Sequence, residues 1–360
     1  MVTNSFSNNY REARQKFCHA LHEAQGHHEQ VVHPERGPDG GELTTDVGYI
    51  GPQDAEAVLV LISGTHGVEG FCGSGLQIEL MNQWDTSRRA TTCGLLVIHA
   101  LNPYGFAWLR RVTHENIDLN RNWVDFSQPL PANPGYDELA EVLVPRLWTQ
   151  ETVRQRAEAE RKFAAAHGYA ALGKALNAGQ YTHPDGIHYG GCGSSWSRQT
   201  QTAIFTTHLS QAKRIAIIDV HSGLGPRGIG ERIMTMQPAS AAFGRATKWF
   251  GYSVASTIDG TATSSSIQGD ALSAASGILS HAEVTAVALE FGTQPLDVVH
   301  EAVCADVWLH THGDPKSALG QSLKQRVREA FYVDMPDWKG MVVGQGLLIC
   351  RQAIAGLIGH

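Results

Sequence analysis

Cysteine is sparse in this 360-residue chain: Cys18, Cys72, Cys93, Cys192, Cys304 and Cys350 are scattered, without a Cys-x-x-Cys pair. That density excludes a disulfide-stapled scaffold, and the six read as reduced thiols. Long apolar runs are wanting too, since no segment approaches the roughly 20 apolar residues of a membrane span. Met1 to Tyr10 lacks the charged region and apolar core of a secretion signal, so the expected location is the cytoplasm and no membrane partner is expected. Basic charge is also short. Against 35 Asp and Glu stand 28 Lys and Arg, a net charge of -7, and no basic stripe offers a nucleic acid an electrostatic footprint. There is no internal repeat and no low-complexity linker.

What remains, 42% hydrophobic residues with 38 glycines, fits a soluble globular enzyme. Along the chain, a helix near 6 to 28 precedes strand candidates at Val31 to Val32 and Leu43 to Ile50. Strand 57 to 63, helix 74 to 84 and strand 94 to 100 then alternate in the manner of an α/β sheet. From Tyr136 to Leu176 the chain turns charged and alanine-rich, which predicts two inserted helices. Strands return at 214 to 220, 231 to 236 and 284 to 290, followed by helices near 295 to 310, 316 to 331 and 344 to 357.

The most informative stretch is Leu59 to Gly70, where an apolar strand empties into Thr65-His66-Gly67-Val68-Glu69. In an open α/β sheet, ligands gather at the carboxyl ends of strands. Imidazole and carboxylate three residues apart there can grip one metal ion, and a catalytic zinc takes three protein groups with one position left open. A second strand, Arg214 to Val220, delivers His221, which completes a His, Glu, His set. Asp219 shares the strand face of His221 and is a candidate to orient its imidazole.

Three further clusters carry chemistry. Arg110-Arg111 and Asp118-Leu119-Asn120-Arg121-Asn122-Trp123 could clamp a carboxylate, because guanidinium forks to both oxygens and an adjacent amide can donate beside it. Glu290 lies at the end of Val287-Ala288-Leu289, where burial would raise its pKa toward neutrality and suit it to take up and return a proton. Gln180 to Gly191, with His183 and His188, reads as a loop covering the site, neither histidine being taken as a ligand.

Two other patterns fail on context. Gly223-Leu224-Gly225-Pro226-Arg227-Gly228 has dinucleotide-loop spacing, but Ile229 to Met236 reads as a strand where a helix is needed. Gly73-Ser74-Gly75 lacks the outer glycines of a serine elbow. Cys72 follows the metal loop and could open a helix as a nucleophile, or be a small buried residue.

In order, His66-Gly67-Val68-Glu69, Asn102-Pro103-Tyr104-Gly105-Phe106, Asp118 to Asn122, His221 and Glu290-Phe291-Gly292 resemble the zinc carboxypeptidase (carboxypeptidase A-like) superfamily, across residues 57 to 293. His-Gly-Val-Glu-Gly, Asp-Val-His-Ser-Gly-Leu-Gly-Pro and His-Pro-Asp-Gly look like an uncharacterised bacterial branch of it. The resemblance implies an α/β fold: a single domain over 1–360, with a mixed, mostly parallel central sheet flanked by helices. It is of the carboxypeptidase-like (phosphorylase/hydrolase-like) type, with a helical insertion and loop at about 130–200. It further implies zinc as cofactor on His66, Glu69 and His221, and Glu290 as general base and acid. Asn120 and Arg121 would hold a substrate carboxylate, and Arg111, or its neighbour Arg110, would stabilise the oxyanion. It gives no fixed position for the family's substrate-covering tyrosine, since the distance of Tyr252 from the other motifs does not match a set spacing. The implied activity is hydrolysis of an amide or peptide bond next to a free carboxylate, on a small peptide. The alternatives are an aspartoacylase-like deacylase of N-acyl amino acids and a zinc-holding binding protein without turnover.

Overall fold

The computed structural model describes residues 2–84 and 93–359. Asn9 caps α1 (Tyr10–Glu23) by accepting from the Glu12 N–H, and the chain then enters the antiparallel pair β1 (His27–Arg36) and β2 (Glu42–Ile50). Next come β3 (Ala57–Ser63), α2 (Gly70–Asn82), β4 (Gly94–His99) and the short α3 (Pro103–Ala107). The charged, alanine-rich stretch forms three helices where two were expected: α4 (Pro134–Leu143), α5 (Gln150–His167) and α6 (Tyr169–Asn177). The breaks have local causes, a Thr149–Thr152 capping box that starts α5 and Gly168 at φ +91° that ends it.

After α7 (Trp196–His208) come β5 (Arg214–Arg227), β6 (Gly230–Met234), α8 (Ala241–Phe250), β7 (Val254–Ser256), α9 (Ala271–Ile278) and β8 (Glu283–Gly292). The last three helices are α10 (Leu296–Thr311), α11 (Ala318–Phe331) and α12 (Pro336–Ile358). Strand order is β1-β2-β4-β3-β5-β8-β6-β7, with four parallel and three antiparallel pairings: a mixed, mostly parallel sheet flanked by helices, as the sequence led one to expect.

Every residue of β3 and β4 is buried, because both faces of the central sheet are covered. Alternate side chains serve two cores. Leu59, Leu61, Ala216 and Ile218 pack in one with α1, α2 and α12, while Val58, Val60, Ile215 and Ile217 pack in the other with Phe205 of α7 and Leu272 of α9.

Helix α12 corrects the reading that no long apolar segment exists. It is 23 residues long and an 18-residue stretch of it reaches a mean hydropathy of 1.6, enough by length and composition to cross a membrane, yet it lies against α2, α8, β3 and β5. Trp338, Val342, Leu347, Ile349 and Ile354 are buried there, each apolar chain contributing about 1.5–3 kcal/mol, so this face is committed to the sheet. The Trp338 indole N–H also donates to the Gly292 carbonyl at 2.9 Å, tying α12 to the end of β8.

Candidate active site

The central parallel strands β3, β5 and β8 end side by side, and their carboxyl ends carry the groups singled out above. After β3 the chain turns through Thr65 and His66 into a single 3-10 turn, Gly67–Glu69, that opens α2. A Cβ on Gly67 would fall 2.1 Å from the Gly105 carbonyl carbon, so only glycine lets the turn lie this close to α3. The turn is also sewn to the arginine pair: the Gly67 and Val68 N–H groups donate to the Arg111 and Arg110 carbonyls at 3.1 and 2.8 Å.

His221 is still inside β5, which runs on to Arg227, and Glu290 faces it in register from within β8. The strands are longer than the sequence indicated because they stay hydrogen-bonded to each other beyond the apolar run. Gly223 to Arg227 accordingly belong to β5, and the stretch is followed by strand β6, in keeping with its rejection as a nucleotide loop.

His66, Glu69 and His221 are buried and their ligand atoms lie within 4.8 Å of one another. Nδ1 of His66 is 3.0 Å from Glu69 Oε1, Nδ1 of His221 is 2.9 Å from Glu69 Oε2, and the two Nδ1 atoms are 3.2 Å apart. Each imidazole is held from behind by a carboxylate, His66 Nε2 against Asp118 Oδ1 at 3.2 Å and His221 Nε2 against Asp219 Oδ2 at 2.9 Å. With the protons on Nε2, both Nδ1 lone pairs point into the space shared with Glu69, which is the donor arrangement a metal ion needs. Charge asks for a cation as well. Burial would lower the His221 pKa, but Asp219 and Glu69 outweigh it and hold the ring well above its ordinary value. A metal binding there would displace that proton.

Asp219 thus sits where its strand position indicated, with Thr65 Oγ1 donating to both its oxygens. Asp118 and His188 are additions that sequence reasoning missed. Burial would raise the Asp118 pKa, yet Arg111, Arg121 and His66 hold it well below the usual range. His188, at φ +52°, donates from Nδ1 to Asp118 Oδ2 at 3.0 Å; burial lowers its pKa to about 4, so it stays neutral. The one clue was the clustering of polar residues in the loop 180 to 191, and its histidine acts through Asp118.

The arginine pair splits by direction. Arg110 turns inward to Asp306, Asn116 and the Thr113 carbonyl, while Arg111 reaches Asp118 Oδ2 at 3.3 Å and Glu69 Oε1 at 3.8 Å. Arg111 lines the cavity and its Nη1 has no hydrogen-bond partner among the described residues. Glu290 Oε1 accepts from the Leu224 N–H at 3.0 Å, and burial, with Glu69 nearby, pushes its pKa up to about 7.

Asn120 and Arg121 lie on the same cavity, of about 290 Å³. The Asn120 side-chain oxygen accepts from the Ala271 N–H at 3.3 Å, which leaves its amide N–H groups available. Arg121 donates to the Asn120 and Asn177 carbonyls at 3.0 and 2.6 Å and is nearly fully buried. Tyr252 is fully exposed and does not line the cavity. Cys72 is buried in the first turn of α2, where burial pushes its thiol well above the usual value and disfavours the thiolate.

The family model described as "Protein of unknown function (DUF2817)" matches residues 6–345. None of the curated proteins matches the chain. Among solved structures it is similar to the carboxypeptidase A from Helicoverpa armigera, at 12% identity over 90% of this chain and 74% of that one, with a TM-score of 0.47. It is similar also to bovine thrombin-activatable fibrinolysis inhibitor, at 8% identity over 91% and 99% with a TM-score of 0.44. A third is an aspartoacylase family protein from Mesorhizobium loti, at 14% identity over 79% and 66% with a TM-score of 0.38.

Proposed function

We propose that this chain, which belongs to the family described as proteins of unknown function (DUF2817), is a zinc-dependent hydrolase that cleaves an amide or peptide bond adjacent to a free carboxylate. The observation that carries the reading is the convergence of His66 Nδ1, His221 Nδ1 and the Glu69 carboxylate in one buried space, each imidazole backed by its own carboxylate. Two imidazoles and one carboxylate are a donor set suited to catalytic zinc. Zinc held there would polarise the scissile carbonyl and acidify the attacking water.

The chain's own residues do the rest. Glu290, whose pKa lies near neutrality, takes the proton from the attacking water and returns it to the leaving nitrogen. Arg111 offers Nη1, which makes no hydrogen bond among the described residues, to charge developing on the carbonyl oxygen. Asn120 and Arg121 hold the substrate carboxylate and so fix which bond lies beside Glu290. Asp118 and Asp219 keep the imidazoles in the required tautomer, and Asp219→Asn should lower metal affinity about 10–100-fold, read by competition with a chelator.

The clamp suits a peptide C-terminus and an N-acyl amino acid equally, so both kinds of substrate belong in the screen. Free-acid substrates should outrun their carboxamides by about tenfold to a hundredfold in kcat/KM, and Arg121→Ala should erase that preference. Equal rates on acid and amide by the unmodified protein would contradict the carboxylate clamp.

A further inference from the structure

A second group of metal-ligand side chains lies apart from the catalytic cavity. Cys18 on α1, His28 on β1 and Asp46 on β2 bring Sγ, Nε2 and a carboxylate oxygen within 4.8 Å of one another, and none of the three lines the cavity that holds His66, Glu69 and His221. Nε2 of His28 is 2.9 Å from Asp46 Oδ1 and 4.0 Å from Cys18 Sγ. A Cys, His, Asp relay would need the imidazole to meet the thiol with one nitrogen and the carboxylate with the other. Here a single nitrogen faces both, an arrangement that suits a shared cation and not the relay of a proton.

The surroundings leave Asp46 Oδ1 free to turn to an ion. Arg14 grips Asp46 mainly through Oδ2, which accepts from Arg14 Nε at 2.7 Å and from the Thr44 hydroxyl at 2.9 Å. On Oδ1 it makes only the longer contact of Nη2, at 3.1 Å, and that nitrogen also donates to Gln30 Oε1 at 2.8 Å, so it keeps a partner when Oδ1 is taken. Asp46 is fully buried, His28 is exposed, and Cys18 opens with Arg14 onto a separate cleft of about 710 Å³. The cleft gives an ion its entry and a water the fourth position.

We infer that Cys18, His28 and Asp46 form a second, exchangeable site for a thiophilic divalent cation of the zinc type, which fastens the edge strand β1 to α1 and β2. Thiolate and imidazole select such an ion over magnesium or calcium. β1 is the outermost strand, paired only with β2 and exposed along most of its length, so an ion that bridges the three elements restrains it. The site is weaker than the His66, Glu69, His221 set. Burial and Asp46 push the Cys18 pKa up to about 11, the ion must displace that proton, and Arg14 adds a like charge nearby. Protein purified without added zinc therefore leaves it empty.

Cobalt(II) is the probe, because a cobalt–thiolate bond gives an intense near-ultraviolet charge-transfer band that imidazole and carboxylate ligands do not. Added in excess to the purified protein, it should raise a saturable band, and zinc added afterwards should remove it by competition. Cys18→Ser, with its fold verified by circular dichroism, should lose the band. His28→Gln, at an exposed position, should raise the cobalt concentration needed by about tenfold or more. Cys192→Ser, which removes the exposed cysteine, should keep the band, as should the His66→Ala, His221→Ala double variant, so the outcome is independent of the hydrolase reading. Absence of the band in the unmodified protein, or a band unchanged in Cys18→Ser, would overturn the assignment.

Discussion

Glu290→Gln should reduce kcat by about 10²–10⁴-fold while leaving metal content and substrate affinity close to those of the unmodified protein. The amide keeps the shape of the side chain and can still meet the Leu224 N–H through its oxygen. What it loses is the ability to accept a proton opposite His221. The pH dependence has a definite sign. A carboxyl raised to about 7 is protonated below that value and cannot act as base, so kcat/KM should fall as pH drops through the Glu290 pKa. A bound cation near Glu69 would stabilise the ionised form, placing that limb at or below about pH 7. A Gln variant with near-normal turnover would make Glu290 structural.

Arg111→Ala should reduce kcat by about 10²–10³-fold, the range for removing one preorganised donor at a developing oxyanion. The side chain is poised for that role because Asp118 and Glu69 hold the guanidinium at the cavity wall while Nη1 makes no hydrogen bond among the described residues. Substrate affinity should change much less than kcat, since the charge Arg111 meets forms only during the reaction. Steady-state kinetics with the metal content measured in parallel checks this, and a loss confined to KM would assign Arg111 to ground-state binding.

The parts of the fold written in continuous apolar runs were legible in the sequence. Ala57–Ser63 was located to the residue because both faces of that strand are buried, and His66, Glu69 and His221 stood out because they follow such apolar runs. Short or mixed elements were not legible. Val254–Ser256 is three residues long, and six of the eight residues of α9 are Ala, Ser or Gly, so neither offers a pattern that stands out from the surrounding loops. The first turns of α12, before residue 344, were overlooked because Pro336 and Gly340 break the pattern there, although the helix runs through both.

The site shows the same division. Strand alternation placed Asp219 behind His221, since the two are two residues apart on one strand. Nothing local links His66 to Asp118, 52 residues away, or Asp118 to His188, 70 residues away. They meet because the Asp118 N–H donates to the Tyr189 carbonyl at 2.8 Å, a contact made only when the chain folds back. The choice between Arg110 and Arg111 was likewise open, because adjacent side chains diverge and Asp306, which draws Arg110 inward, lies on α10.

The central claim is that His66, Glu69 and His221 hold a metal ion, and elemental analysis tests it most directly. The purified protein should carry about one zinc per chain, and the His66→Ala, His221→Ala double variant, with its fold verified by circular dichroism, should carry none. Stoichiometric metal retained by the folded double variant would contradict the account.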